Sequence, residues 1–167
     1  MNETSKVVNL YTAVENNSLE DVKRCLEDSG VDIEMTGGVK LSTPLILATS
    51  LYFVNNEIAM LLLSKKANPF AQNKDGDTSL GMAAFWGNLG LVKTILDMSE
   101  DIQPLTCNRN GYTACSQTEM MAYVCRDNPS KVSRFNEIRE LLQPYDQVDD
   151  MGDSEVEDMS DSESDEN

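Results

Sequence analysis

The feature that most constrains this chain is a recurrence at 35 residues. Thr43-Pro44-Leu45-Ile46-Leu47-Ala48 returns as Thr78-Ser79-Leu80-Gly81-Met82-Ala83-Ala84. One step back from Leu45 and Ala48 lands on Leu10 and Ala13, and one step forward from Thr78 lands on Thr113. Four units therefore share one spacing. Each has a second half with apolar residues at helical intervals: Leu19, Val22, Cys25 and Leu26; Ile58, Leu61, Leu62 and Leu63; Leu89, Val92, Ile95 and Leu96; Phe135, Ile138, Leu141 and Leu142. A helical period in both halves predicts two short helices per unit, with Gly87-Asn88 marking the turn in the third. Such a pair cannot bury its apolar faces alone, so the units must stack into one core.

Charge is distributed unevenly along this pattern. The formal net charge is −16, from 13 Lys and Arg against 29 Asp and Glu, with no histidine. Eleven of those acids, from Asp146 to Glu166, fall in residues 146–167, where no base occurs. That leaves 18 acids against 13 bases, a net −5, in the first 145 residues. An acidic chain is poorly suited to bind nucleic acid or an anionic membrane surface, because both contacts depend on Lys and Arg. No apolar run approaches the ~20 residues of a membrane helix, and residues 1–8 are polar without a signal-peptide core. The expected location is the cytoplasm, with the nucleus also open. Without histidine there is no imidazole base, Ser–His pair or His metal ligand. Cys25, Cys107, Cys115 and Cys125 are too widely and irregularly spaced for a zinc site and are expected to be small buried hydrophobes. No cofactor or metal is expected.

The stretch Asp75-Gly76-Asp77-Thr78-Ser79-Leu80-Gly81-Met82-Ala83-Ala84-Phe85-Trp86-Gly87-Asn88-Leu89 resembles the ankyrin repeat, as does Ala67-Asn68-Pro69-Phe70-Ala71-Gln72-Asn73. The resemblance runs from about Val8 to Gln143 and is strongest in the second and third units. It implies an all-α solenoid of helix-turn-helix units joined by short hairpin-like loops. The units are placed at about residues 6–40, 41–73, 74–108 and 109–143, within a repeat domain of residues 1–145. Where the family has histidine in its T-P-L-H turn, this chain has Ile46 and Gly81, so those turns lose side-chain hydrogen bonds and are expected to be less rigid. The second unit carries two extra residues and the fourth about eleven, near Cys125 to Arg134. Asp127-Asn128-Pro129-Ser130 reads as a loop, and Ser133 to Glu137 either continues the last helix or caps it.

The resemblance implies a non-enzymatic protein-binding module, an adaptor, scaffold or regulatory subunit, acting as a monomer through its concave face. Family binding positions, carried over, nominate the hairpin tip residues Asn73, Lys74, Asp75 and Asp77 and the inner-helix residues Phe85 and Trp86. The fourth unit offers Met120, Met121 and Tyr112, with Arg109 and Asn110 as a polar rim. Leu51, Trp86 and Met121 stand 35 residues apart and form either an apolar stripe for a partner or part of the core. Glu15 and Asn16 make the first unit wetter, and Glu20, Asp21, Glu27 and Asp28 are expected on a solvated outer face.

Pro144 is expected to end the last helix. High like charge with few apolar residues predicts disorder over residues 146–167. This tail either solubilises the body or attracts a basic partner. The second use makes a dedicated escort for a basic client, such as a ribosomal protein, the alternative function. A structural or host-directed module is a third. Ser154, Ser160 and Ser162 each have an acid three residues later, the pattern of an acidophilic kinase, and phosphate there would add about −1.5 to −2 charges per site.

Overall fold

The computed structural model describes residues 9–50, 56–98 and 107–146. Eight α-helices follow in pairs: α1 (Leu10–Glu15) with α2 (Leu19–Glu27), α3 (Pro44–Ser50) with α4 (Asn56–Ser64), α5 (Ser79–Phe85) with α6 (Leu89–Met98), and α7 (Ala114–Val124) with α8 (Pro129–Leu142). The described residues contain no β-strand. The first helices of the pairs pack one on the next, α1 on α3, α3 on α5 and α5 on α7, and the second helices form a parallel layer, α2 through α4 and α6 to α8.

The 35-residue spacing explains the core. Leu10, Leu45, Leu80 and Cys115 occupy one position and are all buried; Ala13, Ala48, Ala83 and Thr118 occupy another and are buried too. Small residues there let the backbones of successive helices approach closely. The helices start where the sequence supplies an acceptor for an orphan backbone N–H. Thr43 Oγ1 accepts from Ile46 N at 3.2 Å, Thr78 Oγ1 from Gly81 N at 3.0 Å and Thr113 Oγ1 from Ser116 N at 3.1 Å. The caps thus survive although Ile46 and Gly81 replace the family's histidine.

In the first and third units the turn between the helices depends on one left-handed residue. Asn17 (φ 54°) and Gly87 (φ 69°) are equivalent and end α1 and α5. Beyond them Ser18 N reaches Ala13 O at 3.0 Å and Asn88 N reaches Ala83 O at 2.8 Å, closing each helix end. In the fourth unit this position is Ala122, which has no such preference, and α7 runs on to Val124. The extra residues therefore lengthen helices rather than a loop. Pro129 and Ser130, read as loop from the sequence, are the first residues of α8: Asn128 caps it by accepting from Lys131 N at 3.1 Å, and proline is suited to the first helical position. Ser133 to Glu137 continue that helix. It ends at Leu142, and a 3₁₀ turn, Gln143–Tyr145, follows.

A third position shows where the array closes. Val14, Thr49 and Ala84 are equivalent and at most 1% exposed, whereas the fourth residue of the series, Glu119, has an exposed side chain paired with Arg139 at 3.5 Å. A terminal repeat needs a polar outer face, and Glu119 provides it.

Only one cysteine fits the expectation of a buried hydrophobe fully. Cys115 is buried, Cys25 and Cys125 are half-buried, and Cys107 is exposed because it lies in the loop before the fourth unit. Burial, followed by the neighbouring Asp146, pushes the Cys115 thiol up to about 12. A raised thiol pKa favours the folded state until the unfolded thiol ionises, so this contribution declines only as pH rises through about 9 and beyond. At pH 8 a thiol reagent should label Cys107 within minutes and leave Cys115 unmodified until the protein unfolds. Peptide mapping of the labelled sites checks this order. Early labelling of Cys115 would show that α8 and the turn after it open readily.

Candidate functional site

Between the helix pairs the chain forms projecting loops, or fingers, and the second and third of these are built on asparagine. Asn73 Oδ1 accepts from Asp75 N at 2.9 Å and Asp77 N at 3.0 Å; Asn108 Oδ1 accepts from Asn110 N at 3.0 Å and Tyr112 N at 3.1 Å. Gly76 and Gly111 take positive φ of 77° and 78° to complete the turn. The equivalent residue of the first finger is Leu41 (φ 49°), a conformation costly for a side chain with a Cβ.

Each finger is bonded to the one before it. Lys74 N donates to Lys40 O and Arg109 N to Asp75 O, both at 2.8 Å. The asparagine amides reach back as well, Asn73 Nδ2 to Ser42 Oγ at 3.3 Å and Asn108 Nδ2 to Asp77 Oδ1 at 3.1 Å. Lys40 Nζ meets the Asp75 carboxylate at 2.7 Å. This contact holds the Asp75 carboxyl below the usual carboxylate range and raises the Lys40 ammonium above its own.

Of the tip residues nominated by sequence, Asn73 is buried and spent on these bonds, and Asp75 is half-buried in its ion pair. Lys74, Arg109 and Asn110 are exposed.

Fingers and first helices together line a cleft of about 230 Å³ between the third and fourth units. Its apolar side is Met82, Phe85, Tyr112 and Met120; its polar side is Asp77, Asn108, Asn110 and Gln117. Tyr112 is 41% exposed and Met120 36%. The structure thus brings together five of the residues expected to touch a partner, Phe85, Met120, Tyr112, Asp77 and Asn110. Phe85 and Met120 line the cleft, each one residue before its counterpart in the expected stripe of Leu51, Trp86 and Met121. Trp86 is the residue that ends α5; its backbone N–H turns back to Met82 O and Ala84 O. Its indole is half-buried and stands edge-on to the Phe85 ring, centroids 5.0 Å apart at 84°. Met121 is half-buried, and Leu51 lies outside the described residues, as do Ser154, Ser160 and Ser162. Met82 and Gln117 were missed by sequence reasoning, although both sit 35 residues apart on the face that Phe85 and Met120 define.

In the first unit Glu15 and Asn16 are exposed, as expected of a wetter end. On α2, Glu20 and Glu27 are exposed and Asp21 pairs with Arg24. Among the described residues no cluster of acids and cysteines has the geometry to hold a metal ion.

No curated protein matches the chain significantly. The family model for ankyrin repeats (3 copies) matches residues 10–106, which holds the first three helix pairs, and the fourth pair beyond it packs on the third in the same way. With more than half its length covered by that match and the same helix pairs stacked in its fold, the chain belongs to the ankyrin-repeat family.

Proposed function

We propose that this protein is a non-enzymatic adaptor or regulatory subunit that grips a partner protein on the face made by its fingers and first helices. Ankyrin repeats are protein-binding modules, and stacked repeats offer an extended surface for the purpose. The observation that carries the reading is the cleft between the third and fourth units. There Phe85, Tyr112 and Met120 stay accessible at the mouth of a cleft instead of joining the core. Aromatic and methionine side chains partly buried in a cleft are the material of interface hot spots.

The test is photo-crosslinking from a benzoylphenylalanine placed at position 85, against the same group at Lys23 on the outer helix α2. A partner bound at the proposed face crosslinks from 85 and not from 23. Phe85→Ala should then weaken it at least tenfold, about 1.4 kcal/mol. Crosslinking mainly from 23, or unchanged affinity in F85A, would place the partner elsewhere.

The eleven acids of residues 146–167 support a second reading, an escort that shields a basic client. Deleting residues 147–167 distinguishes the two. An escort loses suppression of client aggregation, whereas an adaptor keeps its partner through the cleft.

A further inference from the structure

We infer that the cleft between the third and fourth units recognises a cationic side chain, arginine foremost, on a basic segment of the partner protein. The assignment rests on the reading of this face as the partner surface and names the chemistry it selects.

The lining has two kinds of wall. Phe85 and Tyr112 provide rings and Met82 and Met120 provide polarisable sulfur, suited to the stem and planar head of an arginine. Asp77 is the one charged residue among the lining groups. Its Oδ1 accepts from the Asn108 amide at 3.1 Å, which fixes the carboxylate in place, and its other oxygen has no hydrogen-bond partner among the described residues. No salt bridge joins Asp77 to a cation among the described residues, and Lys40 of the preceding finger is held by Asp75 at 2.7 Å. Arg109 and Lys74 line a separate depression with Gln72 and Cys107 and are not among the residues that line the cleft. A carboxylate with one free oxygen, set beside two rings and left without a cation of its own, is complementary to a guanidinium brought from outside. The ring faces attract it by cation–π contact and the carboxylate by a charge-assisted hydrogen bond. An aliphatic side chain would satisfy the rings and desolvate Asp77 without compensation.

The whole chain points to the same partner class. Its net charge of −16, most of it in residues 146–167, attracts basic proteins at long range. The tail can supply that long-range attraction, but it cannot supply a seat for one side chain. The cleft can.

Nuclear magnetic resonance on the full 167-residue chain tests the assignment. The probes are blocked pentapeptides, Gly-Ser-X-Ser-Gly, with X as arginine, citrulline or leucine. Citrulline keeps the shape of arginine and removes its charge. The expected result is a millimolar, saturable shift of the side-chain amides of Asn108, Asn110 and Gln117 with the arginine peptide, at least fivefold tighter than with either other peptide. Asp77→Asn keeps an acceptor for the Asn108 amide and should lower arginine binding to the citrulline level. Phe85→Leu keeps an apolar wall and should weaken arginine but not leucine, so the conclusion does not depend on one variant's fold. Equal binding of citrulline, or unchanged arginine binding in D77N, overturns the assignment. So do arginine shifts confined to residues 147–167. Preference for leucine at the same amides overturns it while leaving the face as the partner surface, and crosslinking away from position 85 removes that surface.

Discussion

Ala84→Glu should destabilise the protein by about 3–5 kcal/mol, the scale for a charge buried without compensation. Ala84 is fully buried in the core, at the position where Val14 and Thr49 are also covered. Glutamate there must lose its hydration with no cation provided, and its added volume strains a packed interface by a further increment. The same residue type is harmless at Glu119, one repeat later, because no unit follows among the described residues and its side chain is 59% exposed. Glu119→Ala should accordingly change stability by about 0.5 kcal/mol or less, since its pair with Arg139 is long and solvated. Urea unfolding of the two variants beside the wild type checks both values. A loss below about 1 kcal/mol in A84E would mean that the third and fourth helix pairs are only loosely joined.

Asn73→Ala is expected to cost about 2–3 kcal/mol. The side chain makes three hydrogen bonds, to two backbone N–H groups of its own finger and to Ser42 of the preceding one, and it is 9% exposed. Each such bond is worth about 1 kcal/mol net, and the donors left behind are poorly hydrated. Amide hydrogen exchange at Asp75 and Asp77 should accelerate with the loss. Lys74→Ala, next door and exposed, should leave stability unchanged. If N73A were neutral in stability and weakened partner binding instead, Asn73 would belong to the binding surface and not to the finger.

These two residues also show how far the amino-acid sequence could be read. The 35-residue spacing identified equivalent positions from Leu10 through Leu45 and Leu80 to Cys115, and with them the helix pairs, their stacking and the core. Spacing says which residues correspond; it does not say which of two neighbours faces outward. Adjacent helical residues differ by about 100° in direction. Phe85 lines the cleft, whereas Trp86 ends the helix half-buried against it. Asn73 read as an exposed tip because hairpin loops usually are polar and open. Its burial comes with a contact to the neighbouring finger, to Ser42 31 residues away in sequence, and no local pattern announces it. Glu119 and Ala122 stand where the third unit has Ala84 and Gly87. Their meaning, a closed end and a helix that runs on, comes from the packing, in which no further unit is stacked there among the described residues.

The Lys40–Asp75 pair has a consequence beyond its small contribution to stability. The two residues are the same position in successive fingers, and the next in the series is Asn110. Identical units could never make this contact, because two lysines or two aspartates would face each other. Opposite charge at this position therefore marks the first and second fingers as neighbours. A finger that paired out of sequence, within the chain or with a second copy while folding, would meet a like charge or a neutral amide. An array of near-copies invites such mispairing. Here the correct neighbour is marked by sign.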